Sequence, residues 1–187
     1  MLNQASFPWP VEIIRCRRKS VGIRVTDEGQ IIVRAPRLTG TAEIRRILEG
    51  KREWIEKALE KVRERETLPK LTEEEIKTLA RQAKKEIPPR VEARARQMGV
   101  SYGRIAIRCQ KTRWGSCSAQ GNLNFNCLLM LCPEEVMDYV IVHELCHRKE
   151  LNHSARFKAE VARILPDWQK QARWLKNEGQ GIIARIR

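Results

Sequence analysis

Apolar and polar residues alternate along residues 11–35, which is typical of β-strands with one buried face. Val21, Ile23 and Val25 are separated by small or polar residues, and Asp27-Glu28-Gly29 supplies a turn before the pattern resumes. We therefore predict that this part of the chain forms a small antiparallel sheet, which ends at Pro36.

A helical period follows. Apolar residues at helical spacing predict a helix from about Ala42 to Glu66, with Thr41 as its N-cap and Gly50 as a point where it can break.

A second helix is predicted to open at Thr72, whose spacing to Glu75 is that of a capping box. Pro88-Pro89 should end or kink this helix, which resumes over Val91–Met98.

Strands and helices alternate over the rest of the chain. The pattern predicts a strand at Tyr102–Arg108, a loop at Lys111–Gln120, a strand at Leu123–Leu131, and helices at Pro133–Lys149, Ala155–Ile164 and Pro166–Lys176. The chain is thus predicted to be an α+β protein with an N-terminal antiparallel β-sheet and flanking helices. Its expected division is into residues 1–70 and 71–187, which could also pack as one unit.

The charge of the chain limits the kinds of partner that it suits. The 187 residues include 37 Lys and Arg against 23 Asp and Glu, a formal charge of +14. This surplus suits either a nucleotide or nucleic-acid partner or a basic solvated surface, and both remain open.

No apolar run approaches the roughly 20 residues of a membrane helix, so we expect no membrane partner. Met1–Pro10 has no signal-peptide pattern, which predicts a cytoplasmic location by default. The six cysteines contain no C-x-x-C pair and are predicted to be free thiols.

The chemistry is concentrated in Val142-His143-Glu144-Leu145-Cys146-His147. Histidines four residues apart lie on one helical face, so both imidazoles can reach one metal ion, with Glu144 beside them as a general base. A catalytic zinc site needs a third protein ligand, and His153 is the remaining histidine of the chain. We predict a Zn²⁺ site formed by His143, His147 and His153, since zinc is the usual metal for three imidazoles. A metzincin is not expected, because Glu150 replaces its glycine and no methionine follows His153.

Several segments together resemble the YgjP-like metallopeptidase family, which is akin to the SprT-like and WLM zincins. They are Arg113-Trp114-Gly115-Ser116-Cys117-Ser118, Gly121-Asn122-Leu123-Asn124-Phe125-Asn126, residues 138–147, Asn152-His153-Ser154 and Phe157. Arg148 and Lys158 depart from the residues common in that family. The resemblance implies a zincin-like fold and a peptidase that acts on protein or peptide substrates. It also implies an alternative, because a related branch hydrolyses UTP to release pyrophosphate.

The predicted function is therefore zinc-dependent hydrolysis, most simply of peptides, by zinc-activated water with Glu144 as the base. The alternatives are a nucleoside-triphosphate pyrophosphatase at the same site and a nucleic-acid-associated zinc protein. Four further residues are candidate substrate contacts with structural alternatives. Arg113 either stabilises an anion or anchors its loop, Trp114 either stacks on substrate or packs, and Asn124 and Asn126 either bind an extended substrate or form a solvated strand face.

Overall fold

A computed structural model describes residues 8–186. The chain forms two compact units that divide between Thr67 and Leu68. Most of Met1–Pro10, on which the signal-peptide argument rests, lies outside the described residues. Among the described helices, none is long and apolar enough to cross a bilayer.

The first unit is a three-stranded sheet with two helices. Its elements are β1 (Val11–Cys16), β2 (Gly22–Val25), β3 (Ile31–Pro36), α1 (Thr41–Glu49) and α2 (Arg52–Glu66). The central strand is β3, whose inward face packs its buried side chains against those of α1 and α2. The helix predicted over residues 42–66 is indeed broken at Gly50, which is the C-cap of α1. The N-cap is Gly40 instead of the expected Thr41.

The predicted antiparallel arrangement of this sheet is only half right. β2 and β3 form an antiparallel hairpin around Gly29, which has a positive φ of 74°. β1, however, pairs with β3 in parallel. Period-two alternation specifies which face of a strand is buried but not the direction of its neighbour, so the sequence pattern could not distinguish the two pairings.

The second unit carries the motif residues. Its elements are α3 (Glu73–Met98), β4 (Ile105–Arg108), β5 (Gly115–Cys117), β6 (Leu123–Asn126), a 3-10 segment (Cys127–Leu131), α4 (Glu134–Cys146), α5 (Ala155–Ile164), α6 (Trp168–Asn177) and α7 (Gly179–Ala184). The strand order is β4-β6-β5, with β4 parallel and β5 antiparallel to the central β6. The predicted α+β class with flanking helices is confirmed.

Helix α3 continues through Pro88-Pro89, where the sequence predicted an end or a kink. Because proline has no N–H group, the carbonyls of Lys84 and Lys85 lack their helical hydrogen bonds. Both residues are exposed, so water can bond these carbonyls. The buried stripe is uninterrupted on either side of the prolines, and its packing favours one helix. This stripe comprises Leu79, Ala83, Ile87, Val91, Ala95 and Met98. The predicted capping box of Thr72 and Glu75 is present.

Three other predicted elements differ. The Lys111–Gln120 loop contains the short strand β5, and the Leu123–Leu131 strand ends at Asn126, where the 3-10 segment begins. The helix predicted over Pro166–Lys176 is followed by a further short helix, α7, which was not predicted and contains Gly179 and Gly181.

Candidate metal centre and active site

Helix α4 places His143, Glu144 and His147 within about one turn. Nearly every position of α4 from Val136 to Cys146 is buried, so the helix is held in the core and its C-terminal turn is fixed. His147 is the C-cap residue, and its ring centroid lies 5.2 Å from that of His143. The two imidazoles therefore face a common point.

His153 completes the cluster from the loop that follows α4. The Asn152 Oδ1 accepts a bond from the Ser154 N–H at 3.2 Å, and the Ser154 Oγ caps α5 by accepting the Phe157 N–H. Side-chain bonds of this kind are typical of asparagine in turns and of serine at helix N-caps, and they fix the turn that carries His153. The Nε2 atoms of His153 and His143 lie 3.0 Å apart.

The ring of Phe157 forms a common support for the three histidines. Its centroid is 4.8 Å from His143, 4.7 Å from His147 and 4.8 Å from His153. Phe157 is itself 3% exposed, so this support is packed into the core from the first turn of α5.

The donor set fits a tetrahedral metal ion such as zinc. One ligand atom from each histidine lies within 4.8 Å of the others, and zinc–nitrogen bonds of about 2.0–2.1 Å require nitrogens roughly 3.3 Å apart. The Nδ1 of His147 lies 3.1 Å from the Glu150 carbonyl, which can only accept, so Nδ1 carries the proton and leaves Nε2 as a lone-pair donor. The Tyr139 hydroxyl lies 3.4 Å from the His143 Nδ1, and Tyr139 stacks on Trp168.

The protonation state of His143 also suits a ligand. Burial, together with the charges of the neighbouring His147 and His153, lowers the pKa of His143 to about 4. This imidazole is therefore neutral at pH 7, as metal binding requires.

Glu144 projects into a close contact with strand β5. A Cβ placed on Gly115 would lie 2.7 Å from both the Cγ and the Oε1 of Glu144, so only glycine leaves room for this carboxyl group. Glu144 is 6% exposed, and burial raises its pKa to about 8 while the charge of Arg113 acts in the opposite direction. This close contact explains why the third residue of the R-W-G-S-C segment, Gly115, is a glycine.

Comparison with known families gives a match in two overlapping segments. The model of the YgjP-like, metallopeptidase domain covers residues 19–80 and 68–178. The chain belongs to this family. The family resemblance seen in the motifs is therefore confirmed, and the protein is a member of a metallopeptidase family with a histidine cluster that could bind a metal ion.

Two solved structures are similar to part of this family member. One is the metallopeptidase zymogen of Pyrococcus abyssi abylysin, which is 23% identical in sequence. The match covers 50% of this chain and 96% of the abylysin chain, with a TM-score of 0.45. The other is the metallopeptidase zymogen of Methanocaldococcus jannaschii jannalysin, which is 25% identical in sequence. The match covers 49% of this chain and 92% of the jannalysin chain, with a TM-score of 0.43. No curated protein matches the chain. These comparisons give no specific support to a nucleotide or nucleic-acid partner.

Arg113 and Trp114 precede strand β5 of this family member and have different surroundings. The Arg113 side chain is exposed, while its charge acts on Glu144. Trp114 is half-buried against the core, and a Cβ on Gly179 of α7 would lie 3.0 Å from its ring. Packing thus accounts for Trp114, and Arg113 remains available to a substrate.

Asn126 does not lie on a solvated strand face, which was one of the two alternatives for it. Its side chain is fully buried, and its Nδ2 donates to the carbonyls of Gln110 at 2.7 Å and Arg113 at 2.9 Å. Its Oδ1 accepts the Leu128 N–H at 3.2 Å. These bonds occupy the amide, so Asn126 holds the loop before β5. Asn124 is half-buried and donates to the Ser116 Oγ at 3.3 Å.

Three residues of the site were given no role from the sequence. Phe157 and Gly115 lay within the motifs that carry the family resemblance, but their contacts join segments distant in sequence. Tyr139 lies one turn before His143 on α4, and that spacing is the signal that could have identified it.

Proposed function

We propose that this protein is a zinc-dependent metallopeptidase in which His143, His147 and His153 hold the metal ion and Glu144 is the general base. The convergence of three imidazoles on one point, supported by Phe157, is the observation that carries the proposal. His143, His147 and His153 would hold the zinc ion, which would supply Lewis-acid chemistry there by polarising a substrate carbonyl and lowering the pKa of water.

Glu144 is suited to accept a proton. Its carboxyl is buried beside the α4 histidines, and a base whose pKa lies near the working pH combines a sufficient ionised fraction with strong proton affinity. The pKa near 8, with Arg113 opposing the effect of burial, falls in that range. We assign to Glu144 the transfer of a proton from the attacking water to the leaving amine.

Strand β5 is the candidate docking edge for an extended peptide. Residues on both sides of β5 form main-chain bonds across the hairpin: the Trp114 carbonyl accepts the Asn126 N–H, and the Ser118 N–H donates to the Asn122 carbonyl. Between them, Ser116 pairs with Asn124. In an antiparallel pair the intervening residues direct their backbone groups the other way, so Gly115 and Cys117 present theirs at the sheet edge. A peptide strand added there would lie beside Glu144, and Arg113 at the start of the strand could bind an acidic group of the substrate.

The test compares peptide cleavage by the zinc-loaded protein with that by Glu144→Gln. Casein and a peptide library are the substrates, and the matched control is Glu135→Gln, which changes an exposed glutamate at the start of the same helix. We expect Glu144→Gln to lower kcat by about 10²- to 10⁴-fold with unchanged zinc content, and Glu135→Gln to retain full activity. Cleavage that survives in Glu144→Gln, or an absence of cleavage of every peptide by the zinc-loaded parent, would overturn the assignment.

A further inference from the structure

Two cysteines stand side by side at one end of the second sheet. The parallel register of β4 and β6 ends with Arg108 opposite Asn126, and the next residues are Cys109 and Cys127. Neighbouring strands lie about 4.8 Å apart, and each cysteine directly follows one of the last two paired residues. This spacing falls within the range of Cα separations that a disulfide bridges, about 4.4–6.8 Å.

The two thiols differ in their access to solvent. Cys127 is the first residue of the 3-10 segment, directly after β6, and is fully buried. Cys109 is exposed, and all six cysteines lie within the described residues. Burial raises the pKa of Cys127 to about 12, and the charge and hydrogen bond of the Cys109 thiol raise it as well. The buried thiol thus contacts one that solvent can reach.

Three of the remaining cysteines have other surroundings. The thiols of Cys16, Cys117 and Cys132 donate to the main-chain carbonyls of Ala35, Ser118 and Leu128, respectively. Cys146 is fully buried in α4. The pairing of an accessible with a buried thiol therefore distinguishes Cys109 and Cys127.

We propose that Cys109 and Cys127 form a reversible disulfide when the protein meets a peroxide. The Cys109 sulfur attacks hydrogen peroxide, which breaks the O–O bond, releases one water and leaves a sulfenic acid. The Cys127 sulfur then displaces the second water as the S–S bond forms. Two thiols and one peroxide thus give one disulfide and two waters, with the thiols oxidised and the peroxide reduced.

The disulfide would close the segment from Cys109 to Cys127, which contains all of β5. Arg113 and Gly115, which act on Glu144, lie inside this segment, and Asn126 at its end already holds the loop. Oxidation would thus covalently fix the strand that borders Glu144. The inference rests on strand register and burial, and it holds whether or not the protein cleaves peptides.

The test treats the full-length protein with a small excess of hydrogen peroxide, blocks remaining thiols with iodoacetamide and analyses non-reduced peptides by mass spectrometry. We expect a Cys109–Cys127 cross-linked peptide, a fall from six free thiols to four because two are consumed, and recovery of all six with dithiothreitol. The matched control Cys132→Ser should retain the cross-link, because that half-buried thiol belongs to the same core but not to the pair.

Cys127→Ala should lack the cross-link, and dimedone should instead trap a sulfenic acid on Cys109. If this variant does not fold, the presence or absence of the cross-linked peptide in the parent protein decides. Oxidation of Cys109 to a sulfinic acid without a cross-link, or a cross-link from Cys109 to any other cysteine, would overturn the proposal.

Discussion

Phe157→Ala tests whether the shared aromatic support holds the metal ligands in place. The ring lies within 4.8 Å, centroid to centroid, of all three imidazoles and is 3% exposed. Removing a buried phenylalanine side chain lowers the free energy of unfolding by about 3–5 kcal/mol. The three rings would also lose their common contact, and such losses of ligand support typically weaken metal binding by about 10- to 100-fold. That factor corresponds to roughly 1.4–2.8 kcal/mol.

The chain offers a size-matched control in Phe125→Ala, a fully buried phenylalanine on β6. Urea unfolding of the metal-free proteins, followed by circular dichroism, should show similar losses for the two variants. Zinc dissociation constants, measured by competition with a chromophoric chelator, should separate them, with weaker binding in Phe157→Ala and a change below about threefold in Phe125→Ala. Zinc binding by Phe157→Ala as tight as in the parent, or equal weakening in both variants, would refute the reasoning.

Three further outcomes are expected. In Gly115→Ala the new Cβ must displace the Glu144 carboxyl, so kcat for peptide cleavage should fall at least about tenfold while zinc affinity is kept, and an unchanged kcat would contradict the steric argument. In the metal-free protein, the folded-state pKa of Glu144 is raised from 4.5 to about 8, so its stabilising contribution is complete below about pH 4.5 and is lost as pH rises through 8. Glu144→Gln should therefore gain stability relative to the parent over this pH range, by at most several kcal/mol at about 1.36 kcal/mol per pKa unit, and parallel stability curves would count against a buried carboxyl. Asn126→Ala removes a buried amide that makes three hydrogen bonds and should lower the unfolding free energy by about 2–4 kcal/mol, whereas Asn124→Ala should cost less than about 1 kcal/mol, and equal losses in thermal or urea unfolding would be inconsistent with the different burial.

The histidine cluster could be predicted from the sequence because its geometry is local. His143 and His147 are one helical turn apart, and Asn152 and Ser154 fix the turn around His153 by bonds that span two or three residues. Such contacts depend on spacing along the chain, which the sequence displays directly.

Longer-range pairing could not be predicted in the same way. The alternation of Asn124 and Asn126 with apolar neighbours correctly indicated a strand, but not that the loop at residues 110–113 would cover one of the two amides. The parallel pairing of β1 with β3 and the contact of Gly115 with Glu144 likewise join residues well separated in the chain. The sequence pattern specifies faces and turns, whereas the partner of each face depends on tertiary packing.

The packing of Trp114 against Gly179 has a practical consequence for protein engineering. The family match ends at residue 178, so a chain shortened to that boundary would lack Gly179 and the whole of α7. Such a truncation would uncover the indole next to the strand that borders Glu144, and a purified fragment would gain an exposed apolar surface beside this carboxylate. Affinity tags and domain fusions are therefore better appended after the last helix than exchanged for it.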